Sequence, residues 1–383
     1  MFHHQSIDEM SDLPRSKGEL FRYADSAACV AFEFDLSRDE AERRGVAVDE
    51  ETSAKTADAD ADASASKKRK TKLAVVAVGG LTDGFFALPY LPDLAELLKA
   101  DGKSDEGVEW SLITPLLSSS HRGWGTSSLD RDADELLELS AHLKAYRGVD
   151  GIALLGHSTG CQDAVRYAER ERGRNIAGER APLLGVVLQA PVSDRECFFL
   201  DPEAAPLAQR RLDRCREAMK EDKDPEATVI DFMTEWDGAP LSAARWFSLT
   251  EKGGDDDYFS SDFSDAELSE KLRALGGDVG KTSALPTLII ASLREQYLPK
   301  EYDTAAHARR LADAINRQTR SIPPSSLRRR SEEGEEEEGE RGPGSSKAEA
   351  VALGGDHALR GAEAEAARVI FDFISTKCLR PPL

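Results

Sequence analysis

Residues Gly156-His-Ser-Thr-Gly160 set a serine between two glycines at the end of the apolar run Ile152-Ala-Leu-Leu155. This is the pattern of a nucleophile elbow, a sharp strand-to-helix turn that lifts a serine hydroxyl above a sheet. The glycines are needed where a Cβ would collide with neighbouring backbone. Five-residue spacings of this kind also arise by chance in Gly- and Ser-rich chains, so the flanks carry the argument. Residues 152–155 suit a parallel strand buried on both faces, and 161–168 suit a helix that starts at the turn.

A serine nucleophile needs a base to take its proton, an acid to hold that base in the right tautomer, and donors for the developing oxyanion. On strand-turn-helix scaffolds of this type the chain order is nucleophile, acid, histidine. Of seven histidines, only His307 and His357 follow Ser158. His307 falls within an expected helix, whereas His357 sits in Gly354-Gly-Asp-His-Ala358, an expected flexible turn between the last strand and a terminal helix. His357 is therefore the candidate base. Glu295, just beyond an expected strand at 287–292, is the candidate acid, with Asp303 as the alternative. Asp356 adjoins His357 too closely in sequence to be its partner. The candidate oxyanion donors are the backbone N–H groups of Thr159, next to the nucleophile, and of Leu81 in Gly79-Gly-Leu81. That dipeptide turn follows a strand at 73–78, where many lipases and esterases carry His-Gly; it also suits tight packing alone. His157 cannot reach back to its neighbour Ser158 as a base and reads as structural.

The elements that must hold these residues alternate. Strands are expected near 30–34, 73–78, 110–115, 152–155, 185–190, 287–292 and 350–353, and helices near 91–99, 129–146, 161–168, 305–315 and 362–375. Such alternation implies an α/β fold with a mostly parallel central sheet and helices on both faces, the layout of an α/β-hydrolase. The expected organisation is N-terminal strands in 1–51, a low-complexity loop at 52–72, and hydrolase core at 73–193. A helical cap at 194–265 follows, then core at 266–320, a disordered acidic insert at 321–349, and core with the histidine and C-terminal helix at 350–383. Cap helices are expected at 207–220, 227–236 and 241–249; inserted caps shape substrate access in this fold. Asp255-Asp-Asp-Tyr-Phe259 reads as a turn in preference to a cation site, since no further ligand spacing supports a metal.

A chain of 383 residues, 40% hydrophobic, can bury a large core, and a net charge of −21 argues against binding nucleic acid through a broad basic face. Lys67-Lys-Arg-Lys70 reads as solvated loop charge in preference to a nuclear signal. Five cysteines without CxxC spacing indicate neither a zinc site nor a disulfide framework, and no segment is an apolar span or secretory signal. The expectation is a cytoplasmic enzyme with no cofactor and no membrane span, its oligomeric state left open.

Five ordered motifs, Gly79-Gly-Leu-Thr-Asp-Gly84, Pro115-Leu-Leu-Ser-Ser-Ser120 with Gly123-Trp-Gly125, Gly156-His-Ser-Thr-Gly-Cys-Gln-Asp163, Leu188-Gln-Ala-Pro-Val-Ser-Asp-Arg195 and Gly254-Asp-Asp-Asp-Tyr-Phe-Ser-Ser261, resemble a little-characterised, mainly fungal α/β-hydrolase family. One branch of that family is similar to siderophore esterases that open fusarinine C, a cyclic hydroxamate ester. The family's usual Asp-Glu-Tyr-Val-Pro is here Glu295-Gln-Tyr-Leu-Pro299, so the resemblance implies Glu in place of Asp as the acid. The reaction expected is hydrolysis of a small-molecule ester through an acyl-enzyme on Ser158. A hydrolase-fold binding protein without activity, and an acyltransferase using the same triad, are the alternatives.

Overall fold

The computed structural model describes residues 16–25, 29–37, 69–102, 108–173, 178–220, 224–233, 238–277, 283–320 and 347–379. The low-complexity loop through residue 68 and the acidic insert through residue 346 lie outside the described residues, as do Lys67 and Lys68.

Eight strands form one sheet. They are β1 (Gly18–Arg22), β2 (Val30–Phe34), β3 (Lys72–Val78), β4 (Glu109–Pro115), β5 (Gly151–His157), β6 (Leu183–Gln189), β9 (Thr287–Arg294) and β10 (Ala348–Asp356), in the spatial order β1-β2-β4-β3-β5-β6-β9-β10. The six strands from β4 to β10 run parallel, and β1 and β2 add an antiparallel edge. Period-2 side-chain alternation explains why the central strands are apolar throughout: both faces are covered. Ala74, Val76 and Val78 of β3 face one core, which is packed by α2 (Leu129–Arg147), α3 (Thr159–Gly173) and α9 (Thr304–Arg320). Leu73, Val75 and Ala77 face the other, packed by α1 (Leu91–Gly102) and α10 (Glu363–Lys377).

Residues 194–263 leave the sheet, and those up to Leu249 build a third apolar cluster around Trp124, while Tyr258, Phe259 and Phe263 return to the first core. The third cluster contains α4 (Asp194–Phe199), α5 (Ala205–Lys220), the antiparallel pair β7 (Val229–Met233) and β8 (Ala239–Ser242), and α6 (Ala243–Thr250). The helix expected over 227–236 is thus a strand, and the third expected helix starts two residues later than its sequence pattern indicates. Val229 and Ile230 are β-branched and Phe232 is aromatic, which favours a pleated surface once β8 offers hydrogen bonds. The hairpin is anchored by Arg122, whose guanidinium donates to Gly238 O, and by Gly125, where an added Cβ would meet Pro240 O. Two short helices, α7 (Asp265–Lys271) and α8 (Arg273–Gly276), return the chain to β9. Among the described residues no helix is long and apolar enough to cross a membrane, and none of the five cysteines is in a disulfide.

Candidate active site

Ser158 is the single residue between the end of β5 and the start of α3, and its φ is +52°, in the left-handed region that costs an L-residue strain. The two glycines make that turn sterically feasible. A Cβ on Gly156 would stand 2.2 Å from Gly160 O, and one on Gly160 would stand 2.4 Å from Val78 O. Gly80, in the loop after β3, faces the serine so closely that a Cβ there would lie 2.7 Å from Ser158 Cβ. That loop is closed on itself: Asp83 Oδ2 accepts from Gly80 N–H and Gly80 O accepts from Asp83 N–H. Leu81, held within it, packs on the third cluster, so the same loop touches both the nucleophile and the cap. Thr159 is the first residue of α3, where backbone N–H groups have no intrahelical acceptor and carry the positive end of the helix dipole.

Parallel register brings the other two groups together. Arg294 of β9 pairs with Asp356 of β10, so the next residues on each strand, Glu295 and His357, leave the sheet side by side. Glu295 Oε2 lies 2.6 Å from His357 Nδ1, with both side chains almost wholly buried, at 4% and 7% exposure. The Tyr297 N–H donates to Glu295 Oε1, and His357 N–H donates to Gln296 Oε1. A bulge between Leu353 and Asp356 re-aims the end of β10, and Asp356 Oδ1 accepts from Ala358 N–H and Arg360 N–H. His357 thus opens a turn between the last strand and the terminal helix, as the sequence places it, and that turn is pinned. Asp356 serves that turn.

Asp303 is remote from this chemistry in its contacts. Its carboxylate accepts from Ala306 N–H at the start of α9, an N-cap bond, and it is exposed. His307 points its Nε2 at Phe259 O, and burial pushes its pKa down to about 4. The Asp255-Asp-Asp segment is a charged turn: both Asp256 carboxylate oxygens accept from Nη1 of the buried Arg245, and Asp257 meets Arg195. Among the described residues no group of three or more His, Cys, Asp and Glu side chains is arranged to hold a metal.

Three residues at the site escaped the sequence reading or were given no chemical part in it. Gln189, the last residue of β6, accepts from Ser158 N–H through its backbone and donates to His357 O through its side chain. His157 is buried with Nδ1 2.5 Å from Gln189 Oε1, and its ring centroid is 4.8 Å from that of His357. Burial, with the charge of His357 second, holds its pKa well below the ordinary imidazole value. Asp83 stands 3.9 Å from His157 Nε2, its pKa raised by burial. Among the described residues no hydrogen bond joins Ser158 Oγ to His357; Gln189 and His157 link them. The signal in the sequence was the placement of Gln189 at a strand's C-terminal end, where a buried amide needs a purpose.

A serine on a left-handed strand-to-helix turn, at the carboxyl ends of a parallel sheet covered on both faces, defines an α/β-hydrolase. The chain belongs to the family described as "Protein of unknown function (DUF1749)", which matches residues 48–337. It is 34% identical over 233 residues to the fusarinine C esterase of Aspergillus fumigatus, covering 51% of this chain and 64% of that protein. It is 31% identical over 233 residues to esterase AN6793 of Emericella nidulans, covering 50% of this chain and 60% of that protein. The chain thus spans less than two thirds of either relative. Among solved structures, it superposes on siderophore hydrolase EstB from Aspergillus fumigatus with a TM-score of 0.61 at 24% identity, over 95% of this chain and 97% of that one. This likeness fixes the fold. The family match ends before His357, so the case for that residue rests on the chain's own geometry.

Proposed function

We propose that this protein is a serine esterase that cleaves a carboxylic ester, with Ser158 as nucleophile, His357 as general base and then acid, and Glu295 orienting His357. The observation that carries the reading is the buried 2.6 Å pair of Glu295 and His357, leaving the sheet on the same side as a serine strained at φ +52°. His357 Nδ1–H donates to the carboxylate, which leaves Nε2 bare to take the Ser158 proton. The attacked carbonyl oxygen becomes an oxyanion bound by the N–H groups of Thr159 and Leu81. His357 returns the proton to the leaving alcohol, then activates the water that releases the acyl group. No step needs a cofactor.

The esterase names of two relatives support a small-molecule ester as substrate, and one of those names, fusarinine C esterase, makes hydroxamate-type esters the first to screen. Five cysteines, none in a disulfide, suit the cytoplasm. Replacing Ser158 with Ala is expected to abolish turnover of p-nitrophenyl acetate and labelling by a fluorophosphonate. Undiminished labelling of the variant would remove Ser158 from the mechanism, and a folded wild type that never labels would favour a binding protein instead.

A further inference from the structure

Gln189 is wholly buried where β5 and β6 end together, paired with His157 on one side and with Ile290 of β9 on the other. A buried amide costs free energy unless its groups are bonded, and a strand end in this position is ordinarily apolar. Both of its side-chain bonds lead into the site, to His157 and to His357. Its backbone carbonyl accepts from Ser158 N–H at 3.0 Å. Its Nε2 donates to His357 O at 2.8 Å, and Ser292 Oγ donates to the same carbonyl at 3.3 Å.

Since a carbonyl only accepts, the amide orientation is fixed by that bond: Oε1 must face His157. The 2.5 Å contact then places a proton on His157 Nδ1 and leaves His157 Nε2 bare. The His157 ring, so held, stands against His357 at 57° between planes, while Tyr297 meets His357 edge-on at 4.7 Å. The base is thereby held by Gln189 directly at its backbone and indirectly at its ring.

We propose that Gln189 is the positioning residue that keeps Ser158 and His357 in one frame, its backbone fixing the nucleophile's turn and its side chain fixing the base through His357 O and through His157. The proposal rests on the triad reading given above. It assigns Gln189 no contact with substrate. Its loss should therefore slow the chemical step while leaving substrate binding alone.

The test compares Gln189→Met, which keeps length and removes both side-chain bonds, with Gln189→Glu, which keeps an acceptor for His157 but, ionised, offers His357 O no donor. Turnover of p-nitrophenyl acetate is measured beside the low-field proton resonance of the His357–Glu295 bond. Both variants should remain folded by circular dichroism, lose about 10- to 100-fold in kcat with KM within about twofold of wild type, and show the low-field proton shifted or broadened. Should the Met variant not fold, the Glu variant decides alone. A folded variant with kcat within about twofold of wild type, a loss expressed in KM, or a fall in kcat with the resonance unmoved overturns the proposal. Ser158→Ala is assayed in parallel. If it keeps its turnover the triad reading fails, whereas the resonance still reports whether Gln189 holds His357.

Discussion

Glu295→Gln removes one charge with almost no change of shape, and the surrounding bonds determine what replaces it. Tyr297 N–H donates to Glu295 Oε1, so the oxygen of a glutamine settles there and its NH2 group takes the place of Oε2, facing His357 Nδ1. An NH2 donor demands a bare Nδ1. The proton then moves to Nε2, the atom that must accept from Ser158, and the imidazole is held in the unproductive tautomer. Charge adds to this. A carboxylate and an imidazolium whose charges are about 4 Å apart interact by about 4 kcal/mol at an effective dielectric constant of about 20, which corresponds to roughly 10³-fold in rate. The comparable Asp-to-Asn exchange in a Ser-His-Asp protease triad costs about 10⁴ in kcat. The expected loss for Glu295→Gln is therefore about 10³- to 10⁴-fold in kcat on p-nitrophenyl acetate, with KM little changed. Asp303→Asn, which alters only a helix cap, should cost less than about twofold in rate and up to about 1 kcal/mol in stability. A Glu295→Gln enzyme within tenfold of wild type, or an Asp303→Asn enzyme equally impaired, would refute the assignment of the acid.

Two further outcomes follow. Gly80→Ala sets a Cβ 2.7 Å from Ser158 Cβ and 3.3 Å from His157 O, so serine or loop must move; since misplacement by about 1 Å can cost roughly 10²-fold, kcat should fall by about that factor while the melting temperature changes little, which steady-state kinetics and calorimetry would check. Asp194, with a pKa pushed up to about 7 by burial first and by the negative charge of Asp256 next, keeps its proton in the folded chain over a range where the unfolded chain loses it near its ordinary value of 3.8. Its contribution is thus fully present below about pH 4 and is lost as pH rises through about 7, on the order of 2–4 kcal/mol; Asp194→Asn should flatten the urea-denaturation stability across that window and be the more stable protein at about pH 8, and an unchanged slope would contradict it.

Most of the sheet was legible because burial on both faces leaves unbroken apolar runs, as in Leu73-Ala-Val-Val-Ala-Val78, and because glycines punctuate the elbow. The elbow pattern led to Ser158, chain order to His357 and the place after a strand to Glu295 with Asp303 as the alternative; register explains how Glu295 and His357 meet, since β9 and β10 are neighbours and residues one step beyond each strand end are adjacent in space. Two kinds of information were illegible. The hairpin of β7 and β8 depends on a partner strand that local propensity cannot see, so 227–236 read as a helix. The roles of Gln189 and His157 depend on hydrogen bonds between residues as much as 168 positions apart, which no short motif encodes. Asp303 and Glu295 are both carboxylates beyond the same strand; Asp303 falls just before α9, where its side chain caps the Ala306 N–H and faces solvent.

The residues that hold the cap to the nucleophile helix were equally hidden, and their energetics bear on how the site can open. Arg245 of α6 is 2% exposed, bonded to Asp256 at 2.7 and 2.8 Å and to Trp124 O at 3.0 Å. Asp132 of α2, Asp163 of α3 and Asp194 lie close enough for their charge to act on it. One guanidinium cannot neutralise four buried carboxylates, and burial raises the pKa of Asp132, Asp163 and Asp194 accordingly. Taking Arg245 away from these acids would leave unpaired buried charge, a cost of about 3–5 kcal/mol when one partner of such a pair is removed. Separation of α6 from the core is thus disfavoured, and access to Ser158 by a swing of the whole cap would have to break this centre. Adjustment is cheaper in the Leu81 loop, which is closed by the two hydrogen bonds between Gly80 and Asp83, whereas the hairpin of β7 and β8 is tied to α5 by the Arg211–Asp231 ion pair. On the esterase reading proposed above, the Leu81 loop is the element beside Ser158 left to adjust to a substrate, with α6 as its fixed support.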